Sequence, residues 1–334
     1  MSYLYVTELG SHIGIRGNRI EIKYKDDMLR SLPIETVDVI EVFGNVQFTT
    51  QCIQECLKRG ISVIFSSSNG AYFGRLISTN HVNVARQRLQ AKITDDPDFC
   101  LGIAGRIINA KINNQIVILR RYARNQNIDV GDEISTMKRM ANLVKTADSV
   151  EKVMGSEGYA AKTYFSALGK LVDRKFAFKG RNKRPPKDPF NSMISLGYSI
   201  VMNEMYGKIE GKGLNPYFGI LHQDREKHPT LASDLMEEWR APLIDTTVMS
   251  MINGHEVQVD DFKKDPESGG VFLSKKAFKD YVSKLEKKFS MKASYLDYID
   301  YSVSFRSAMV LQVESLIKAM ENHDPELYHP LRIR

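Results

Sequence analysis

His222 and the acids that closely follow it are where this sequence gathers groups able to hold a metal ion. The segment GILHQDREKHPTLASDLMEEWRAPLI (219–244) places His222 after an apolar Gly-Ile-Leu approach and before a polar turn. Pro229 precedes a helix expected from about Leu231, on which Asp234, Glu237 and Glu238 fall at i, i+3 and i+4. Helical spacing predicts one common side for these acids, away from most of the apolar set Leu231, Leu235, Met236 and Trp239. Like charges so spaced destabilise a bare helix, and a cation would turn that repulsion into coordination. Glu157, in VMGSEGYAAKTYFSAL, sits among Gly155, Ser156, Gly158, Ala160 and Ala161, small neighbours that predict close packing and an inward-facing carboxylate. A buried carboxylate needs a metal or an arginine to offset its desolvation. Residue types alone leave a plainer set open: a surface glutamate, a capping histidine and a solvated acidic face.

The elements that must position these groups divide into two parts. The opening residues read as β: YLYVTE, HIGIRG, RIEIKYK, TVDVIEVFG, ISVIFSS and AYFGRLIS are short, β-branched or aromatic, and partly alternating. Gly17-Asn18 is a tight-turn signal. One helix over about 49–59 interrupts the strands, with Thr49 or Thr50 to cap it and Gly60 to end it. After about residue 80 helical spacing takes over. It covers HVNVARQRLQAKI, then FCLGIAGRIINAKINNQIVILRRYAR, then roughly 133–146, 156–172, 190–210, 231–252, 274–289 and 295–321. Residues 255–272 read as a small hairpin or loop insert. The expected fold is α+β: a small β-sandwich-like N-terminal domain over 1–80 and a larger all-α domain over 81–334.

Composition narrows the function. The 334 residues carry a formal charge of +7, with 43% hydrophobic and 26% charged residues, which suits a two-domain globular protein and an anionic partner. The excess is local: DRKFAFKGRNKRPPKDPF (173–190) holds Arg174, Lys175, Lys179, Arg181, Lys183, Arg184 and Lys187. A cationic loop beside a carboxylate cluster suits an enzyme that grips phosphates and a metal together. Cys52, Cys56 and Cys100 are too few and too odd in number for a disulfide scaffold, and read as core thiols in a reducing compartment. No run has the length of a membrane span and the start lacks a signal-peptide pattern, so a cytoplasmic protein without membrane attachment is expected.

Several motifs fail. In Gly211-Lys212-Gly213-Leu214-Asn215-Pro216 a proline takes the place of the third glycine of a dinucleotide fingerprint, and no strand feeds it. SEGYAAKT (156–163) has the Lys-Thr end of a P-loop but Ser156 and Ala161 at its glycine positions. His255-Glu256 does not continue as a zinc helix, and no G-x-S-x-G elbow occurs.

GSEGYAAKTYFSAL and GILHQDREKHPTLASDLMEEWRAPLID closely resemble the CRISPR-associated endonuclease/integrase of the adaptation (spacer acquisition) step, the Cas-one family. Between them RPPKDPFNSMISLGYSIV (184–201) resembles that family's third marker, so three markers stand in the family's order. Trp239 departs from the phenylalanine often found there. The resemblance implies one divalent metal, Mg²⁺ or Mn²⁺, held by Glu157, His222 and a second acid. Asp234 and Glu237 are both candidates for that acid. The resemblance favours Glu237, with Asp234 as a supporting carboxylate. Asn191, Tyr198 and Arg240 match positions expected to shape the DNA side, and Arg181, Lys183 and Arg184 would grip backbone phosphates. Also implied are a homodimer joined through the N-terminal domains, a hetero-hexamer with the small companion protein of the same system (Cas-two), and double-stranded DNA with 3′ ends plus CRISPR repeat DNA as substrates. The chemistry would be phosphodiester transfer, by a DNA 3′-OH in integration or by water in cleavage. Rival classes are a DNA-binding architectural protein, a non-integrating nuclease and an Fe(II) oxygenase. The oxygenase reading lacks a well-placed second histidine, His228 falling in a turn.

Overall fold

The computed structural model describes residues 2–25, 27–294, 296 and 298–333. The chain separates into a unit of residues 1–82 with 279–286 and a unit of residues 83–278 with 287–334.

The first unit holds two four-stranded sheets. One runs β1 (Tyr3–Val6), β5 (Val39–Phe43), β7 (Ser62–Ser66), β8 (Tyr72–Leu76), with β1/β5 and β5/β7 parallel and β7/β8 antiparallel. The other runs β4 (Asp27–Pro33), β3 (Arg19–Tyr24), β2 (His12–Arg16), β6 (Gln47–Phe48), antiparallel except for the β2/β6 pair. Gly17 and Asn18 both adopt positive φ, 53° and 58°, the conformation a two-residue hairpin turn requires between β2 and β3. Helix α1 (Thr50–Lys58) starts where the Thr49 side chain accepts from the Cys52 amide. Its Cys52 and Cys56, free thiols one turn apart, join Leu4, Ile13, Ile20, Ile40 and Val63 in one apolar cluster drawn from both sheets. β4 departs from expectation. DMLRSLP has little β-branched character, and it becomes a strand because β3 offers it a ladder.

The second unit is mainly helical: α2 (Val84–Thr94), α3 (Pro97–Gln126), α4 (Gly131–Lys145), α5 (Val150–Leu171), α6 (Pro189–Gly211), α7 (Thr230–Leu235), α8 (Glu237–Trp239), α9 (Thr246–Asn253), the two ends of α10 (Lys275–Ser290), whose residues 279–286 fall in the first unit, and α11 (Phe305–Asn322). It is not all-α. β9 (Phe262–Lys264) pairs with β10 (Val271–Leu273), the hairpin form of the hairpin or loop insert expected over 255–272, and β11 (Lys292–Ala293) pairs with β12 (Val303–Ser304). That second pairing moves the start of the last helix from the expected 295 to Phe305, where Ser304 caps it. Residues Tyr295 and Asp297 lie outside the described part. Among the described residues no helix is long and apolar enough to cross a membrane.

α3 is the axis of this unit. Asp96 caps it by accepting from the Asp98 and Phe99 amides, and Pro97 fits its first turn. Ile103, Ile107, Ile108, Ala110, Ile112, Ile116, Ile118 and Leu119 are buried along it, more than one face can supply, so the helix is enclosed on several sides. The expected helix at 231–252 is broken. α7 and α8 are separated at Met236, and the chain then widens into a π turn over Arg240–Asp245. Pro242 cannot donate to an α ladder there. The Thr246 and Thr247 hydroxyls donate to the Pro242 and Leu243 carbonyls at 2.7 and 2.6 Å.

Two glycines show opposite helix economics. A Cβ on Gly102 of α3 would lie 2.6 Å from Pro325 Cβ, whereas one on Gly155 of α5 would meet nothing within 4 Å. Gly155→Ala is therefore expected to stabilise the protein by roughly 0.5–1 kcal/mol through helix propensity. Gly102→Ala is expected to destabilise it by about 1–3 kcal/mol through overpacking. Denaturant unfolding of the two variants checks the pair, and equal signs would contradict the packing described.

Candidate metal centre and phosphate-binding loop

Asp234, Glu237 and Glu238 turn to different partners rather than to one common ion. The break at Met236 sends each acid to a different task, and all three are interior, at 0%, 3% and 0% exposure. Asp234 holds the loop that carries His222. Its Oδ2 accepts from the Ile220 and Leu221 amides at 2.8 and 2.9 Å, and its Oδ1 accepts from the His222 amide at 3.3 Å and meets His222 Nδ1 at 2.6 Å. Glu238 ties down the C-terminal segment, accepting from Tyr328 Oη at 2.5 Å and from the Leu331 amide at 2.6 Å. Glu237 alone is left for the site. Its Oε1 pairs with Arg240 at 2.9 Å and its Oε2 lies 2.6 Å from Lys111 Nζ.

Gly219 makes the His222 loop possible. Any Cβ there would lie 2.4 Å from Thr230 Cγ2 and 2.5 Å from the His222 carbonyl, while the Gly219 amide donates to Asp224 at 2.7 Å. With Nδ1–H donated to Asp234, the neutral imidazole keeps its lone pair on Nε2, the arrangement a metal-binding histidine needs. The hydrogen bond to Asp234 outweighs the opposing effect of burial and raises the imidazole's pKa, with the charges of Asp234 and Glu237 adding to the rise. His222 is thus within electrostatic reach of Glu237.

Glu157 comes from α5, which starts at the Ser149 cap. The glycines beside it are not there for packing: Gly155 and Gly158 are exposed with open space around them. What turns Glu157 inward is Lys111 of α3, whose ammonium contacts Glu157 Oε1 as well as Glu237. Burial opposes the charge on Lys111, but Glu237 and Glu157 outweigh it and raise its pKa. Burial likewise opposes ionisation of Glu237, and Arg240 and then Lys111 prevail, holding the carboxyl below its ordinary value. Two of the three expected metal ligands therefore grip one interior lysine. Among the described residues no three His, Cys, Asp or Glu side chains are grouped closely enough to hold a metal. The donor types still fit a hard divalent ion: two carboxylates, with buried Glu237 Oε2 facing Lys111 at 2.6 Å, and an imidazole whose neutral form, donating Nδ1–H to Asp234, would offer Nε2.

The aromatic wall is a second network. Tyr198 Oη and Tyr164 Oη both donate to buried Asp245, each at 2.8 Å. Arg240 and Arg181 lie over the Tyr198 ring, at 5.0 and 5.4 Å from its centroid. Five residues overshoot one α turn of about 3.6, and the widened turn lets Arg240 and Asp245 reach the same tyrosine.

The basic loop divides in its roles. Asn191 is fully buried. It accepts from Arg181 at 2.8 Å and from the Asn182 amide at 3.2 Å, and donates to Gly180 and Asp188. Arg181 also donates to Ser195 at 3.1 Å. Whatever their part toward DNA, Asn191 and Arg181 staple the loop internally to the start of α6, which the Asp188 side chain caps. Lys183 and Arg184 remain exposed. Desolvation first, then the cations Arg240, Arg181 and Arg184, hold the Lys183 ammonium below its ordinary pKa, so positive charge converges here.

Lys111 and Asp245 are the site residues that sequence reasoning misses. Lys111 does leave a signal: Lys111, Asn114 and Gln115 interrupt the apolar run IINAKINNQIVIL at i, i+3 and i+4, a polar stripe in a helix otherwise built for burial.

The sequence matches the profile of the family described as CRISPR associated protein Cas1 over residues 4–287. It is 41% identical over 326 residues, 97% of this chain and 96% of the relative, to a CRISPR-associated endonuclease Cas1 of Mycobacterium tuberculosis. It is 29% identical over 333 residues, covering 99% of this chain and 97% of the relative, to one from Thermus thermophilus. A CAS1 protein from Thermotoga maritima shares the fold, with a TM-score of 0.82 at 22% identity over 96% of this chain and 97% of that one. A chain of a Cas6-RT-Cas1–Cas2 complex gives a TM-score of 0.86 at 25% identity, covering 100% of this chain and 36% of the larger one. With the matched residues spanning most of its length, the chain belongs to the CRISPR-associated Cas1 family.

Proposed function

We propose that this protein is a divalent-metal-dependent DNA integrase and endonuclease that inserts short DNA fragments into a CRISPR array, with Glu157, Glu237 and His222 Nε2 holding Mg²⁺ or Mn²⁺. The observation that carries this reading is the meeting of Glu157 and Glu237, from separate helices, on a single cation position, with Glu237 also acting electrostatically on an imidazole that Asp234 orients. Bound there, the metal supplies Lewis-acid neutralisation of the scissile phosphate and a lowered pKa for the attacking hydroxyl.

The chain's own groups prepare that chemistry. Asp234, with its oxygens spent on the loop amides and on Nδ1, acts as a positioning residue that fixes the tautomer and aim of His222. Arg240 holds Glu237 ionised while resting on Tyr198. Exposed Lys183 and Arg184 take backbone phosphates without reading sequence. A DNA 3′-OH then attacks a target phosphodiester: one P–O bond forms, one breaks, and the target strand leaves with a free 3′-OH. With water as nucleophile the same site cleaves. As partners we infer double-stranded DNA with 3′ ends, CRISPR repeat DNA, a second copy of this chain joined through the N-terminal unit, and a Cas2 companion in a hetero-hexamer. The matched chain of a Cas6-RT-Cas1–Cas2 complex supports the companion.

A Mn²⁺-dependent strand-joining and cleavage assay on branched DNA tests the reading. His222→Ala and Glu157→Gln should fall to the level of chelated wild type, and Asp234→Asn should lose about 10–100-fold. Activity surviving His222→Ala and chelation would sink the proposal.

The DNA-binding part is checked by salt titration. Joint Lys183→Ala and Arg184→Ala replacement should weaken binding similarly across sequences and reduce the log–log salt slope by about 1.8. An unchanged slope rejects the phosphate role.

Asp245 gives a stability test. Burial raises its pKa to about 6, against the hydrogen bonds from Tyr198 and Tyr164. The unfolded value is about 3.9, so the folded chain binds this proton more tightly and stability rises as pH falls through 6, the gain saturating below the unfolded pKa. Between pH 7 and pH 5 wild type should gain about 1 kcal/mol relative to Asp245→Asn in denaturant unfolding. A parallel pH response in the two proteins would show that Asp245 is not so placed.

A further inference from the structure

Lys111 is the group in this site whose chemistry the proposed reaction does not use. It is an interior lysine, 4% exposed, on a helix enclosed by its neighbours. An interior ammonium is costly unless paired. Its partners are Glu157 Oε1 and Glu237 Oε2, brought by two other helices. These are carboxylates that the proposed function gives to the metal.

Charge counting sharpens the conflict. Glu157 and Glu237 are matched by two cations, Lys111 and Arg240, so the cluster is balanced by protein groups alone. A divalent ion must take carboxylate oxygens from the ammonium or share them, and it leaves the cluster with two excess positive charges. A phosphodiester, with one negative charge, is an anion that relieves half of this excess. Lysine suits such an exchange, because a point charge on a flexible four-carbon stem can turn from a carboxylate to an incoming phosphate without losing its charge.

We propose that Lys111 competes with the divalent metal for Glu157 and Glu237, so that metal binds weakly to the protein alone and tightly once a DNA phosphate enters. The inference rests on the metal-site reading proposed for Glu157, Glu237 and His222. Coupling of this kind is reciprocal: DNA tightens metal binding by the same factor as metal tightens DNA binding.

The test is calorimetric titration of full-length protein with Mn²⁺, alone and with a short duplex bearing 3′-dideoxy ends, which cannot be joined. Wild type should bind Mn²⁺ more tightly with the duplex, by a factor within the roughly 5–150-fold typical of coupled sites. Lys111→Met should bind Mn²⁺ about tenfold more tightly than wild type without DNA and lose most of the DNA enhancement, while Lys111→Arg keeps it. With chelator present, Lys111→Met should melt at lower temperature than wild type, and Mn²⁺ should narrow the gap. Equal Mn²⁺ affinity and equal DNA enhancement in wild type and Lys111→Met overturn the inference while leaving the metal site intact. Weaker Mn²⁺ binding in Lys111→Met also overturns it, by making Lys111 a support rather than a rival. A His222→Ala variant that binds Mn²⁺ as wild type does removes the site reading and this inference with it. If Lys111→Met fails to fold, the wild-type pair of titrations still decides, since identical affinities with and without duplex contradict the coupling.

Discussion

Glu157 and Glu237 come from distant parts of the sequence, and both are drawn to one point by the ammonium of Lys111. Two carboxylates so close together in a mostly dry interior repel each other, and each alone would carry a large desolvation cost. Much of the second unit answers that constraint. α3 runs enclosed through the unit and carries the lysine inward. Arg240, at the start of the π turn, adds a second cation to Glu237 and rests on Tyr198. Tyr198 is held in turn by Asp245 at the end of that turn. The two carboxylates are thus gathered and charge-balanced by protein cations, so a divalent ion, as proposed, would find its oxygens in place but would have to compete with Lys111 for them.

The acidic segment shows how one stretch of chain serves three structures. Asp234 orders the loop of His222, Glu237 faces the cation position, and Glu238 anchors Tyr328 and Leu331 of the C-terminal segment. The C-terminal segment is laced to α3 as well, where Asn114 donates to the Leu331 carbonyl at 3.0 Å and accepts from the Ile333 amide at 3.0 Å. The C-terminal segment is thus tied to the neighbours in sequence of two residues of the candidate site, Glu238 next to Glu237 and Asn114 one turn from Lys111.

Part of this organisation is legible in the amino-acid sequence. Spacing and cap residues reveal α1, the change from strands to helices and the hairpin insert at 255–272, because these depend on local periodicity and turn chemistry. His222, Glu157 and Glu237 are visible as chemical types, and their grouping rests on resemblance. The separate partners of Asp234, Glu237 and Glu238 are not legible from helical spacing, which assumes a regular helix, and the break at Met236 has no composition signal of its own. Asn191 is marked by resemblance and Arg181 by its place in a basic loop, and neither signal announces the hydrogen bonds that tie both to the loop and to α6. β4 and the β11/β12 pair depend on partner strands that no single segment announces. Lys111 escapes notice because a lysine is ordinarily a surface residue, and only its apolar surroundings mark it as interior.

The central claim is that one divalent ion can replace an ammonium between two carboxylates. A crystal of the protein grown with Mn²⁺ and measured at the manganese absorption edge tests it most directly. The account predicts one anomalous peak about 2.1 Å from oxygens of both Glu157 and Glu237 and similarly near His222 Nε2, with Lys111 Nζ moved away from at least one carboxylate. A peak elsewhere, or a Lys111 still bridging both glutamates at saturating Mn²⁺, would contradict it.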